Sequence, residues 1–427
     1  MRRVVITGMG AVCCLGTDVP TFWRRLIAGE SGIAPIERFD PSGLRNNRAG
    51  EVKGWDSAAL MPEGPRDVDL ATQFCLVATR EALQDRGTAL VEETALRAGA
   101  VLSTNFGGAE AWEGFAHSIS SRSAGVSPAA PEVRVGQASP PVLAGGTPAL
   151  REDLWREFTF HSALGHVCSH FGLRGPRSVL SLSCSSGVAA MGQAFDLIRL
   201  GRADLMVAGG HDSLSISSLA GLSALHTITP DEIRPFDARR NGTLFGEGAA
   251  MLVLEEYEHA KARGATVHAV MLGYGLNNNA YHLTAPDKGG AGMAEVLRMA
   301  FRDAGVPTDS IDYVSAHGTG TEYHDPAETQ AIKSVLGERA YAIPVSSIKA
   351  ATSHIMGGAG SLEVIAAVLA MRDGVVPPTL NWAERDPECD LDYVPNEARR
   401  VEVDVALSNA MGLGGHNACV LVGRVDG

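Results

Sequence analysis

No run of about 18 continuous apolar residues occurs in this 427-residue chain, so a membrane-crossing helix is not expected. Positive charge is also scarce: 36 Lys and Arg face 49 Asp and Glu, for a net charge of −13. That balance argues against a phosphate-backbone-binding surface, and neither nucleic acid nor membrane is expected as a partner. The opening MRRVVITGMG passes straight into a strand pattern without an apolar signal-peptide core, which gives a cytoplasmic expectation. The seven cysteines (Cys13, Cys14, Cys75, Cys168, Cys184, Cys389 and Cys419) lack metal-ligand spacing, and their odd number argues against a disulfide framework. Most read as small core residues. Thr7-Gly-Met-Gly10 hints at a dinucleotide loop, but the third glycine and the ribose-binding acid are missing. No cofactor is expected.

What is present is the composition of a compact globular protein, 45% hydrophobic and 20% charged, with 49 glycines. The length exceeds what one growing core serves, so two domains or two fused halves are expected. Short β-rich runs alternate with helical patterns, which is the signature of an α/β layer arrangement. Strands are predicted at Val4 to Thr7, Ala100 to Leu102, Val179 to Leu182, Leu205 to Ala208 and Ala250 to Leu254. A second set follows at Val267 to Leu272, Tyr313 to Ser315, Val345 to Ser347 and Ala418 to Val422. Both sets end on a strand after a glycine-rich turn, beginning at Gly246 and Gly415, which suggests two similar halves, 1–257 and 258–427. The join falls near the charged stretch Glu255 to Gly264, read as a solvated helix end. Residues 118–150, rich in Ser, Ala, Pro and Gly, read as a surface loop or insertion.

Four segments carry chemistry. Ser178-Val-Leu-Ser-Leu-Ser-Cys184-Ser-Ser-Gly187 reads as strand, sharp turn and helix, with Val188, Met191, Phe195 and Ile198 at helical spacing. It places the Cys184 thiol at a helix N-terminus, where the dipole would favour thiolate and pull the pKa down from roughly 8.5. Tyr313-Val-Ser-Ala-His317-Gly-Thr-Gly-Thr321, followed by Asp325 and Glu328, delivers a histidine to the C-terminal end of a strand. Ser346-Ser-Ile-Lys349 through Ser353-His354-Ile-Met-Gly-Gly-Ala-Gly360 and Glu363 repeats the strand, loop and glycine-rich helix start. Last, Ser408-Asn-Ala-Met-Gly-Leu413-Gly-Gly-His416-Asn417 has glycines that let backbone N–H groups approach a ligand.

In this order the four segments resemble the elongating β-ketoacyl-[acyl carrier protein] synthases of the thiolase superfamily. Matching stretches run over essentially the whole chain: Val4 to Gly8, Gly172 to Pro176, Ala208 to Gly210, Arg234 to Asp237 and Pro377 to Asn381. The resemblance implies a thiolase-like fold, two βαβαβαββ halves forming a five-layered α-β-α-β-α core, assembled as two chains. It implies acyl transfer from an acyl carrier protein to Cys184, then decarboxylation of malonyl carrier protein. The enolate would be held by His317 and His354, and the thioester oxyanion by the backbone N–H groups of Cys184 and Leu413. Lys349, paired with Glu328, would set the electrostatics, and Phe106, Thr319, Thr321, Gly412 and Gly414 would contact substrate.

Departures from the family pattern are Leu413 for a gating phenylalanine, Ser315 for an asparagine, and Phe106 where a smaller residue faces the acyl tunnel. They leave open the structural cation that some members hold near Glu363 and Asn409. Fatty-acid elongation is the main reading. The alternative is the catalytic subunit of a type II polyketide synthase, paired with a cysteine-lacking chain-length factor rather than with a second copy of itself. A degradative thiolase would need a second catalytic cysteine in a Cys-x-Gly turn, an initiating synthase an asparagine in place of His354, and a chain-length subunit would lack Cys184.

Overall fold

A computed structural model describes residues 2–87, 92–123 and 152–425. Ten strands form its main sheet: β1 (Val4–Val12), β2 (Ala98–Ser103), β3 (Arg177–Leu180), β4 (Leu205–Asp212), β5 (Gly248–Glu256), β6 (Ala269–Asn278), β7 (Tyr313–Ser315), β8 (Val345–Ser346), β9 (Val405–Gly412) and β10 (His416–Gly423). Their spatial order is β8-β7-β9-β10-β6-β1-β5-β4-β2-β3. Read outward from the centre, the two sides repeat one order and one set of directions. Each runs from the first strand of its half (β1 or β6) to an antiparallel strand (β5 or β10), and from there to three mutually parallel strands. The sides meet through a short antiparallel ladder, Val4 to Ile6 against Met271 to Ala269.

Helices cover this sheet in layers. Leu70–Arg86 (α1) lies on β1 and β5, and Ala291–Ala304 (α3) lies on β6 and β10. Between the two sides run α2 (Ser186–Arg199) and α5 (Ala359–Asp373), which touch each other and strands of both halves. Every residue of α5 from Ala359 to Met371 is buried, so apart from Ser361 and Glu363 its sequence is apolar all round instead of amphipathic, as a helix enclosed between the two sides of the sheet must be. A fifth helix, α4 (His324–Leu336), covers the second half beside α3.

All nine predicted strands begin within two residues of their observed starts. β9 was not predicted: VALSNAMG has one β-branched residue and was read as a glycine-rich turn. The stretch from Glu255 is not a solvated helix end throughout. The helix is Tyr257–Ala262, while Glu255 closes β5 fully buried, accepting from Thr7 Oγ1 (2.8 Å) and from Arg263. Of the predicted insertion 118–150, the first six residues continue the helix Ala109–Ser123, and the rest lie outside the described residues.

Candidate active site

The chain leaves β3 and reaches α2 through an elbow at 181–185. Ser183, with φ of 55°, sits in the left-handed region that costs a side-chain-bearing residue energy. Local hydrogen bonds hold it there. Leu182 N–H donates to Ser186 Oγ (2.7 Å), Ser186 Oγ donates to Ser183 O (2.5 Å), and Ser185 Oγ donates to Leu182 O (2.7 Å). Gly187 is required by close approach, because a Cβ there would lie 2.7 Å from Ser361 Oγ and 2.9 Å from Gly357 O. Helices α2 and α5 therefore cross tightly, and Cys184 is presented at the tip of the elbow.

The electrostatics differ from the sequence expectation. Burial pushes the Cys184 thiol above its ordinary value, and the pulls of the Ser183 hydroxyl and the Lys349 ammonium are smaller. Cys184 immediately precedes Ser185, the N-cap of α2, and desolvation is the largest influence on its thiol.

His317 follows β7, and His354 follows Ser353, another left-handed residue with φ of 62°. The His354 backbone is pinned to Leu244 O (2.9 Å) and Gly246 N–H (3.0 Å), with the Phe245 ring stacked on the imidazole. The two imidazoles meet edge to face at 5.4 Å between centroids. Cys184 Sγ and one nitrogen from each ring lie within 4.8 Å of one another. Met356 N–H donates to His354 Nδ1 (3.2 Å), which leaves the proton on Nε2. Lys349 Nζ, a donor only, stands 3.2 Å from His317 Nδ1, which fixes the same tautomer. Burial first, and Lys349 second, hold both rings well below the usual histidine range. Two neutral imidazoles, each with its proton on Nε2, thus stand beside one sulfur, and His354 Nε2 has no partner among the described residues.

Lys349 is buried and ion-paired with Glu363, not with Glu328 as expected from sequence; it also donates to His317 O at 2.5 Å. Glu328 has a backbone role. It accepts from His317 N–H (2.7 Å), Gly318 N–H (2.8 Å) and Asn409 Nδ2 (2.7 Å), and so fixes the turn that carries His317. Glu363 Oε2, Asn409 Oδ1 and Ser408 Oγ are buried without a hydrogen-bond partner among the described residues. Orphaned oxygens of this kind fit the hard, oxygen-liganded cation of the family resemblance.

Two family profiles cover the chain: "Beta-ketoacyl synthase, N-terminal domain" matches residues 1–149 and 151–260, and "Beta-ketoacyl synthase, C-terminal domain" matches 268–383. The chain belongs to the beta-ketoacyl synthase family. A 3-oxoacyl-[acyl-carrier-protein] synthase 2 from Coxiella burnetii is 38% identical over 99% of both chains. A putative polyketide beta-ketoacyl synthase 1 from Streptomyces halstedii is 42% identical over 99% of this chain and 98% of its own. Among solved structures, the ishigamide ketosynthase/chain length factor superposes with a TM-score of 0.87 at 34% identity, covering 100% of both chains.

In this beta-ketoacyl synthase the two histidines and Cys184 line a cavity of about 980 Å³, together with Phe106, Thr319, Thr321, Gly412 and Leu413. Gly412 must be glycine, since a Cβ would sit 2.9 Å from Ser183 Cβ and 3.1 Å from Cys184 N. Two sequence assignments need correction. Gly414 does not line the cavity, and its N–H donates to Leu283 O at 2.6 Å. The Leu413 N–H is not free for an oxyanion, because it donates to Ser183 Oγ at 3.1 Å, and that hydroxyl also lies 3.6 Å from Cys184 Sγ.

Sequence reasoning missed Ser183, Asp212 and His324. Asp212, at the end of β4, accepts from Thr104 Oγ1 (2.6 Å), Phe106 N–H (3.0 Å) and Gly357 N–H (2.8 Å). It ties the Phe106 turn to the loop behind His354, and no motif signals it. His324 was visible as a histidine one turn before Glu328 but stood outside the segments that carried the resemblance.

Proposed function

We propose that this chain is a β-ketoacyl-[acyl carrier protein] synthase that extends an acyl group held on Cys184 by decarboxylative condensation with malonyl carrier protein. One observation carries the reading: the Cys184 sulfur meets two neutral imidazole N–H donors in a single cavity. In the first step the Cys184 thiol attacks the acyl thioester. The carbonyl oxyanion accepts the Cys184 N–H, and the thiol proton leaves with the carrier thiol. In the second step the malonyl carboxylate departs as carbon dioxide. The electron pair collects as an enolate whose oxygen accepts from His317 and His354 Nε2–H. The enolate carbon attacks the Cys184 thioester, and the tetrahedral intermediate expels the thiolate, which takes up a proton. Lys349 orients His317, and Glu328 fixes its turn. Glu363 and Asn409 would hold a structural cation, which would neutralise their buried oxygens.

Phe106, Thr319, Thr321 and Gly412 form the substrate-facing wall in this reading, and the halves divide at 257/258. The carrier partner follows from the name of the Coxiella relative, and fatty-acid elongation is the main pathway. The polyketide reading is favoured by one observation, the 42% identity to the Streptomyces protein. It calls for a heterodimer with a cysteine-lacking chain-length factor, where the main reading calls for a homodimer. Intact mass after incubation with an acyl carrier protein should show one acyl group on Cys184, and addition of malonyl carrier protein should discharge it as a β-ketoacyl carrier protein. Absence of the adduct refutes the reading. Purification beside a co-encoded, cysteine-lacking homologue decides between the two assemblies.

A further inference from the structure

We propose that His324 is a specificity-determining residue that binds the carboxylate of the extender unit, the acidic group that distinguishes a malonyl thioester from the acyl thioester priming Cys184. This rests on the condensing-enzyme reading above.

His324 is the first residue of α4, and its ring lies 4.8 Å from that of His317, centroid to centroid. It lines the same cavity as Cys184, and its side chain is only 11% exposed. Both ring nitrogens are shut off from solvent and lack a hydrogen-bond partner among the described residues. Buried polar groups are almost always partnered, so an orphaned imidazole on a cavity wall is poised to receive a ligand group. Nδ1 stands 3.6 Å from both Asp325 Oδ1 and Glu328 Oε2, too far for a good hydrogen bond. Those carboxylates are already engaged. Asp325 accepts from Phe236 N–H (2.8 Å) and Gly320 N–H (3.1 Å), and Glu328 accepts from His317 and Gly318.

The charge around the three imidazoles divides their work. His317 and His354 face the Lys349 ammonium, whereas His324 Nδ1 stands beside two carboxylates. The other basic groups on the cavity wall, Arg45, His226 and His282, are all exposed. Lys349 is turned inward onto Glu363 and His317 O. His324 is therefore the interior group left to meet an anion, one ring away from the donors that receive the enolate.

The contact is made to a group that leaves. As the bond between the carboxylate and the α-carbon breaks, carbon dioxide departs neutral and the interaction with His324 vanishes. The energy is spent on ground-state binding, which raises affinity for the extender without speeding its decarboxylation. His324→Ala should raise the KM for malonyl carrier protein about tenfold, the worth of one hydrogen bond to a charged group. Its kcat should not fall, and the rate of Cys184 acylation by acyl carrier protein should be unchanged. His324→Gln, which keeps a neutral donor, should show a smaller rise confined to the extender, and it carries the test by itself if the alanine variant does not fold. An unchanged extender KM in a folded variant, or an equal loss in acylation and condensation, overturns the proposal. Lack of any acyl adduct on Cys184 in the unaltered protein would instead overturn the condensing-enzyme reading.

Discussion

Replacing Lys349 by Met keeps most of the side-chain volume but deletes the ammonium that pairs with Glu363, donates to His317 O and fixes His317 Nδ1. Burial pushes the Glu363 carboxyl up to about 7, against the pull of Lys349. Without that pull the carboxyl stays protonated to higher pH, while in the unfolded chain it ionises near about 4.3. The sign follows from linkage. Below about pH 7 the folded state of both proteins holds Glu363 neutral, so the difference between them is limited to lost hydrogen bonds. Above that, the variant keeps a proton that its unfolded state has released, so its stability falls by about 1.4 kcal/mol per pH unit while this group ceases to contribute a slope in the unaltered protein. Between pH 7 and 8.5 the gap should therefore widen by about 2 kcal/mol, with about 3–5 kcal/mol as the ceiling set by an unpaired buried charge. Urea unfolding at several pH values measures it. With its tautomer no longer fixed, His317 should lose about 10²–10³ in malonyl decarboxylation, read as carbon dioxide release. Stability curves that run parallel across this range, or decarboxylation that is unimpaired in the folded variant, refute the assignment of Lys349.

His354→Ala should reduce decarboxylation by about 10²–10³ while affecting single-turnover acylation of Cys184 much less; equal losses would make His354 the base for the thiol. Phe106→Ala should lengthen the longest acyl group that labels Cys184, measured by competition between short and long acyl carrier proteins. Because Phe106 is only half-buried against the core, the stability cost should be about 2 kcal/mol, below the roughly 3–5 of a fully buried ring. Ser183→Ala removes the hydroxyl that lowers the Cys184 pKa and frees the Leu413 N–H. The pH midpoint for alkylation of Cys184 should then move up, and an unchanged midpoint would mean that the hydroxyl makes no contact with the sulfur in solution.

Much of the fold was legible because its signals are local. The runs at Val4, Leu205 and Ala250 are apolar on both faces, as strands covered by helices on each side must be. β9 was hidden because it is built from Ala, Ser, Asn, Met and Gly, whose strand conformation is imposed by pairing with β7 and β10 and not by propensity. The site divides in the same way. Cys184, His317 and His354 sit in segments whose turns are written in Ser and Gly, so they were found. The partner of Lys349 was misjudged because Glu328 and Glu363 are both plausible carboxylates in sequence, and only the packing of α5 against β9 brings Glu363 to the ammonium.

Left-handed residues adjoin each reacting group: Ser183 before Cys184, Gly318 with φ of 37° after His317, and Ser353 and Met356 around His354. Such backbone persists only where surrounding structure enforces it, and here the enforcing elements are the middle-layer helices and the strand ends on which they rest. Rigidity of that kind matters for the proposed chemistry because the carbanion has two fates. A donor acidic enough to surrender its proton would quench it to an acetyl thioester, whereas a neutral imidazole N–H stabilises the enolate oxygen and keeps its proton. Burial and Lys349 hold both histidines in the neutral form, and Met356 N–H and Lys349 Nζ hold their protons on Nε2. Burial of the Cys184 sulfur acts at both ends of the cycle, since a thiol that resists ionisation is a slow nucleophile in loading and a slow leaving group when the tetrahedral intermediate collapses, which makes fixed donors to the oxyanion the more important.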